Sequence, residues 1–89
     1  MTWQIDFSRE SLRFMKSNNL GEEAVISCLE KAMRKLKGEK INVDIKKMKG
    51  SWLGFHRIRI AQIRILAQFD FEQKRIYIDR IDFRGDVYK

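Results

Sequence analysis

Three arginines at short intervals are the residues of this chain whose type and spacing could do chemistry on a phosphate: Arg57, Arg59 and Arg64. A guanidinium is permanently charged, and its planar set of donors matches phosphate oxygens. Because side chains alternate along a strand, Arg57 and Arg59 should share one face, opposite His56 and its apolar neighbours. The pattern predicts a cationic sheet face for a phosphate-rich ligand. Ordinary solvated arginines on an amphipathic strand are the alternative.

A basic, glycine-containing segment precedes these arginines and contains Lys46, Lys47 and Lys49. Such lysines are often simply solvated, but here they adjoin the cationic strand and could equally follow an RNA backbone. Trp52 in the same segment either anchors the loop or stacks on a base. His56, the only histidine, is a general base by type, but alternation favours packing at the core or its rim.

Length and charge limit the classes of function. The chain has 89 residues and a net charge of +7, which predicts one domain spanning residues 1–89 and an anionic partner. Residues 1–44 contain eight basic and seven acidic side chains, whereas residues 45–89 contain eleven and five. The second half is therefore expected to carry the binding surface.

Other features exclude several classes of site. No segment approaches the roughly 18 apolar residues of a membrane span, and the N-terminus lacks the apolar core of a signal peptide, so a cytoplasmic protein is expected. Cys28 has no second cysteine for a disulfide and is expected to be a buried helix residue. The acidic residues show no spacing typical of a metal cluster, so no metal or other cofactor is expected.

Periodicity predicts an α+β domain. A strand at 2–7 ends at Ser8, a suitable N-cap for a helix that reaches about Asn18. A second helix runs from about Glu22 to Lys37, with Gly38 as its stop. The two helices should form a hairpin packed on a mostly antiparallel, twisted sheet of four to five strands.

The remaining strands are predicted from alternation at 41–45, Phe55–Ile60, Ile63–Phe69 and Arg75–Phe83. Arg64 should face the same side as Arg57 and Arg59. In the last strand the apolar phase shifts near Asp79 and Arg80, which indicates a β-bulge that would re-aim Arg80 or Arg84.

Two segments, KMKGSWLGFHRIRIAQIRIL and IDFRGDVYK, resemble toxins of the RelE/ParE superfamily of toxin–antitoxin systems. The first is similar to the family's run of two basic residues, a short turn and a further arginine. The second is similar to the C-terminal strand exit, where an arginine precedes a tyrosine. For the RelE branch, the resemblance implies a ribosome-dependent endoribonuclease that cuts messenger RNA, and a cognate antitoxin partner.

Carried over by position, the resemblance assigns catalytic roles to five residues. Arg80 is the substitute for one of them, Arg84. These residues are Arg57, Arg59, Arg64, Arg84 and Tyr88. Attack by a ribose 2′-hydroxyl on the adjacent phosphate needs a proton acceptor, stabilisation of a developing dianion and a proton donor, and none of these requires a metal. The arginines could stabilise the dianion, while Tyr88 could relay a proton or stack on a base.

Two other functions are compatible with the sequence. One is a ParE-like inhibitor of DNA gyrase on the same fold, and the other is a non-catalytic or degenerate nucleic-acid-binding module.

Overall fold

The computed structural model describes residues 3–83. Within this range the chain forms two helices, a short 3-10 turn at Gly50–Trp52 and five strands. In chain order the main elements are β1 (Gln4–Phe7), α1 (Arg9–Ser17), α2 (Glu22–Leu36), β2 (Asp44–Lys47), β3 (Phe55–Ile60), β4 (Ile63–Asp70) and β5 (Arg75–Phe83).

All five strands belong to one sheet, in the spatial order β1-β5-β4-β3-β2. The last four strands of the chain pair in an antiparallel meander, whereas β1 lies parallel to β5 at the far edge. Because β1 and β2 lie at opposite edges of the sheet, the connection between them has to cross it, and the two helices provide this crossover. The predicted α+β class is confirmed.

The boundaries of α1 follow from its N-cap. Ser8 precedes the helix in an extended conformation, and its Oγ accepts a hydrogen bond from the backbone N–H of Ser11 at 3.1 Å. The Ser8 hydroxyl also donates to the carbonyl oxygen of Asp79 at 2.5 Å. The cap therefore starts the helix and fastens it to β5.

The core lies between the helices and one face of the sheet. Leu29 and Val25 of α2 are fully buried there. The isoleucines Ile58, Ile65, Ile76 and Ile78 fill the sheet side of the same core. Cys28 is buried in α2, as predicted, and burial raises the pKa of its thiol. The helices thus cover one face of the sheet, and alternation directs the arginines to the other.

The prediction for β2 was wrong in its boundaries. The strand begins at Asp44, because the backbone turns at Ile41, whose carbonyl accepts from the Val43 N–H at 2.8 Å. The Lys35 ammonium binds the Val43 carbonyl and holds this turn against α2. The strand instead continues to Lys47, the residue at which the basic, glycine-containing loop was expected to begin.

The predicted β-bulge is present in β5. Leu66 lies opposite Arg80, whereas the next residue, Ala67, lies opposite Ile78. Asp79 is therefore the extra residue, and it shifts the phase of alternation so that Ile81 enters the core while Arg80 faces the opposite side. Within residues 3–83, no helix has the length and apolar character needed to cross a bilayer.

Candidate functional site

The uncovered face of the sheet is organised in rows of side chains that run across the strands. Strand register brings Lys46, Arg57, Leu66 and Arg80 into line, and we call this set the basic row. One pleat further along, Asp44, Arg59, Arg64 and Asp82 form the ion-paired row. Neighbouring strands lie about 4.8 Å apart, so side chains within a row can contact each other.

Carboxylates compensate both arginines of the ion-paired row. Arg64 donates from Nε to Asp82 Oδ1 at 2.9 Å and from Nη2 to Asp82 Oδ2 at 3.0 Å. At the other end, Arg59 Nη1 lies 3.7 Å from Asp44 Oδ2, while Arg59 Nε is buried without a hydrogen-bond partner among residues 3–83. Arg59 and Arg64 lie directly opposite each other, so the acidic residues at each end offset the repulsion between them.

The positive charges of the basic row have fewer acidic partners than those of the ion-paired row. Arg57 is half-buried, its Nε is buried without a hydrogen-bond partner, and within residues 3–83 it has no carboxylate at ion-pair distance. Arg80 is more exposed and has one long ion pair, 3.5 Å from Nη2 to Glu10 Oε2. A buried donor without a partner costs free energy, and such a group often marks a functional site. Arg57 is therefore well suited to bind an anion.

A cavity of about 270 Å³ lies where the two rows meet. Its polar wall consists of Arg57, Arg64, Arg80 and Asp82, and its apolar wall of Met48, Trp52 and Leu66. Three guanidiniums therefore converge on one hollow with a single acidic side chain among the described residues that line it. Such a site can hold a phosphate group and stabilise charge that develops on it.

An aromatic cluster of Trp52, Phe55 and Tyr77 borders the basic row. The Trp52 and Phe55 ring centroids are 5.4 Å apart, and those of Phe55 and Tyr77 are 6.4 Å apart, both with edge-to-face geometry. Phe55 and Tyr77 lie opposite Gln68 of β4 from either side. Trp52 therefore packs on the strand that carries Arg57 and also lines the cavity, a position compatible with both roles considered for it.

The structure brings together Arg57, Arg64 and Arg80 of the residues predicted for the site. Lys46 joins the basic row, and Lys49 is exposed just before the 3-10 turn. Arg59 shares the face with them but does not line the cavity.

Of the other predicted site residues, one lies elsewhere in the structure and two fall beyond its described range. Lys47 lies opposite His56 in the register and so faces the other side of the sheet from the arginines. Arg84 and Tyr88 lie outside the described residues.

His56 lies on the core side of the sheet, as predicted. Its ring contacts Phe69 at a centroid distance of 5.7 Å, and its Nδ1 is buried without a hydrogen-bond partner. Burial, and secondarily the charge of Lys47, lower the pKa of His56. The imidazole faces the opposite side of the sheet from the cavity and does not line it.

Sequence reasoning missed Asp82 and Tyr77 as parts of this surface. Asp82 reaches this surface through the bulge, which changes the phase of alternation in β5, whereas Tyr77 reaches it through the regular alternation with Ile76 and Ile78. Before the bulge Tyr77 faces the arginines, and after it Arg80 and Asp82 do. The available signal was the spacing of Arg80 and Asp82, because side chains two residues apart on a strand share a face.

Several solved structures match the chain over nearly its whole length. One is a chain of the RelBE2 toxin–antitoxin complex from Mycobacterium tuberculosis, with 23% identity, a TM-score of 0.58, and coverage of 94% of this chain and 100% of that one. A chain of the RelB–RelE antitoxin–toxin complex from Methanococcus jannaschii has 20% identity and a TM-score of 0.59, covering 93% and 94% of the two chains.

A chain of the YoeB–YefM complex from Staphylococcus aureus matches with 16% identity and a TM-score of 0.60, covering 94% of this chain and 99% of that one. No protein-family sequence model and no curated protein sequence matches the chain. At these identities the likeness is one of fold, and the chain has the fold of RelE-type toxins.

Proposed function

We propose that this chain is the toxin of a toxin–antitoxin pair in the RelE branch of the RelE/ParE superfamily, and that it cuts messenger RNA on the ribosome. The fold shared with RelE-type toxins supports the family. The observation that carries the chemistry is the convergence of Arg57, Arg64 and Arg80 on one cavity in the uncovered face of the sheet.

The proposed reaction is an internal transfer at phosphorus. The ribose 2′-oxygen attacks the adjacent phosphorus, the bond from phosphorus to the 5′-oxygen breaks, and the products are a 2′,3′-cyclic phosphate and a 5′-hydroxyl. One proton leaves the 2′-hydroxyl and one is delivered to the 5′-oxygen, so the reaction consumes neither water nor a redox partner. The transition state carries extra negative charge on the non-bridging oxygens, which is where donors contribute most.

Arg57 and Arg80 are the groups that would bind these oxygens. Arg57 has a guanidinium without a carboxylate partner in residues 3–83, and an incoming phosphate can displace the long Glu10 contact of Arg80. Arg64 is held in place by Asp82 and would add charge from a fixed position. Arg59 contributes to the positive potential from the neighbouring row.

Proton transfer is assigned to residues that the sequence alone suggested. Tyr88 would relay a proton, and Arg84 would support it, since a phenol among guanidiniums becomes more acidic. Positioning of the messenger against the ribosome would supply a large part of the remaining rate.

The proposed partners are the ribosome with its messenger and a cognate antitoxin, all in the cytoplasm. The relatives from Mycobacterium tuberculosis, Methanococcus jannaschii and Staphylococcus aureus are components of two-protein complexes, two of them described as toxin with antitoxin. An antitoxin with an acidic segment would complement a net charge of +7 and could cover the basic row.

Primer extension on a defined messenger in a cell-free translation reaction tests the proposal. We expect cuts at codon-spaced positions when purified protein is added, and none when ribosomes are omitted. If translation continues and no cuts appear, the proposal is wrong. A supercoiling assay with DNA gyrase would then test the ParE-like alternative, and inactivity in both assays would favour a non-catalytic nucleic-acid-binding module.

A further inference from the structure

We infer that Trp52 and Tyr77, held by Phe55 between them, form a base-stacking surface for single-stranded RNA beside the arginine cavity. The inference rests on the proposed function, because it names how that site would hold its substrate. It extends the site from a phosphate-binding cavity to a surface that binds consecutive nucleotides.

The first support is the arrangement of the rings. Phe55 stands nearly perpendicular to both neighbours, with interplanar angles of 85° to Trp52 and 71° to Tyr77. One central ring therefore fixes the orientation of the other two. A fixed aromatic ring loses little conformational entropy when a base stacks on it.

The second support is a hollow next to the arginine cavity. It has a volume of about 410 Å³, and both Trp52 and Tyr77 line it. Trp52 and Arg80 line the two hollows in common, so the hollows adjoin. A strand whose phosphate lies at Arg57 and Arg80 would bring its next base past Trp52 towards Tyr77.

Charge identifies the occupant. Alternating contacts to phosphates and to base faces are characteristic of single-stranded nucleic-acid binding, in which each stacked base needs a ring and each phosphate a cation. Here the aromatic cluster borders the basic row, which supplies the cations for the phosphates, while the hollow beside Tyr77 is lined by two basic and two acidic residues: Arg9, Arg80, Glu10 and Asp79. Tyr77 is 38% exposed, and the core that holds β5 lies on the other side of the sheet.

Ribosome-free binding to a single-stranded oligoadenylate of about eight nucleotides tests the inference. The comparison strand has the same length and phosphates but abasic sugars at its central positions. We expect Tyr77→Ala to weaken binding of the normal strand by about 5- to 150-fold, since stacking on one residue contributes that much. Tyr77→Phe should bind like the wild type, because the ring is kept.

Leu36→Ala is the matched control, since Leu36 is also 38% exposed but lies at the end of α2 in the helical layer. It should leave binding of both strands unchanged. The abasic strand should bind the wild type and Tyr77→Ala equally.

Three outcomes would overturn the inference. The first is equal affinity of Tyr77→Ala and wild type for the normal strand, and the second is that Tyr77→Ala loses as much affinity for the abasic strand. The third is that Tyr77→Ala loses affinity for an acidic peptide while its affinity for RNA is unchanged. That result would indicate a protein partner for this surface. The outcome is separate from that of the proposed function. If the wild type cuts messenger on the ribosome but Tyr77→Ala binds RNA as tightly as the wild type, only the stacking surface is rejected. If Tyr77→Ala weakens RNA binding as expected but the wild type does not cut, only the nuclease is rejected.

Discussion

Arg64 and Asp82 lie opposite each other on β4 and β5 and are joined by two hydrogen bonds of 2.9 and 3.0 Å. The pair lies on the wall of the arginine cavity, and the two side chains are 17% and 24% exposed. Paired through Nε and Nη2, the guanidinium is fixed in plane and direction. Asp82 is thus a positioning residue for Arg64.

We predict that Asp82→Asn slows messenger cutting by about 10- to 100-fold, because a small displacement of a charged group at the reacting phosphate costs this much. The loss should appear in kcat more than in KM, which a general effect on folding would not produce. Single-turnover cutting on ribosome-bound messenger would measure it.

Glu39→Gln is the control for Asp82→Asn, since Glu39 makes a similar 3.0 Å pair with Arg34 far from the cavity. This exposed pair should contribute little, and the variant should cut like the wild type. If Asp82→Asn and Glu39→Gln behave alike, Asp82 does not position Arg64 for the reaction.

Arg57 should show opposite effects on stability and activity. Among residues 3–83 its buried Nε has no hydrogen-bond partner, a state that costs about 1 to 3 kcal/mol. We predict that Arg57→Met keeps or raises the free energy of unfolding, by up to about 1 kcal/mol, while cutting falls by more than about 100-fold. Urea denaturation and the cutting assay measure the two quantities.

A variant Arg57→Met that is both less stable and fully active would contradict this role. Arg57→Lys separates charge from geometry, because an ammonium lacks the planar set of donors. We expect it to recover RNA binding better than cutting.

The His56 imidazole should make stability depend on pH. Burial holds its pKa in the folded protein below the ordinary value, so the unfolded chain binds more protons in the interval between the two values. Stability should therefore fall as the pH decreases through about 6.5, the ordinary value for histidine. His56→Gln should show a smaller decrease in the free energy of unfolding over the same interval.

Equal pH slopes for the wild type and His56→Gln would show that His56 is not the group responsible. Cutting by His56→Gln, measured at neutral pH, should remain close to that of the wild type, because the imidazole faces the core side of the sheet.

The sequence was sufficient for those parts of the fold that depend on local pattern. Alternation placed β3 and β5 at their observed bounds, and Ser8 marked the start of α1. Alternation also placed Arg57 and Arg64 on one face, and the phase shift near Asp79 predicted the bulge.

Pairing between distant residues could not be predicted in the same way. Asp82 follows Arg64 by 18 residues, and the partner of Arg80, Glu10, lies on a different element, so both pairs depend on strand register and helix docking. The start of β2 depends on Lys35 of α2, which binds the Val43 carbonyl.

The central claim, that the Arg57 cavity binds the phosphate at which messenger RNA is cut, is tested most directly by single-turnover cutting of ribosome-bound messenger. Wild type and Arg57→Ala would be compared at saturating protein, with the 3′ end of the product analysed chemically. We expect the wild type to leave a 2′,3′-cyclic phosphate and Arg57→Ala to be slower by more than about 100-fold. No cutting by the wild type, or equal rates for the two proteins, would contradict the claim.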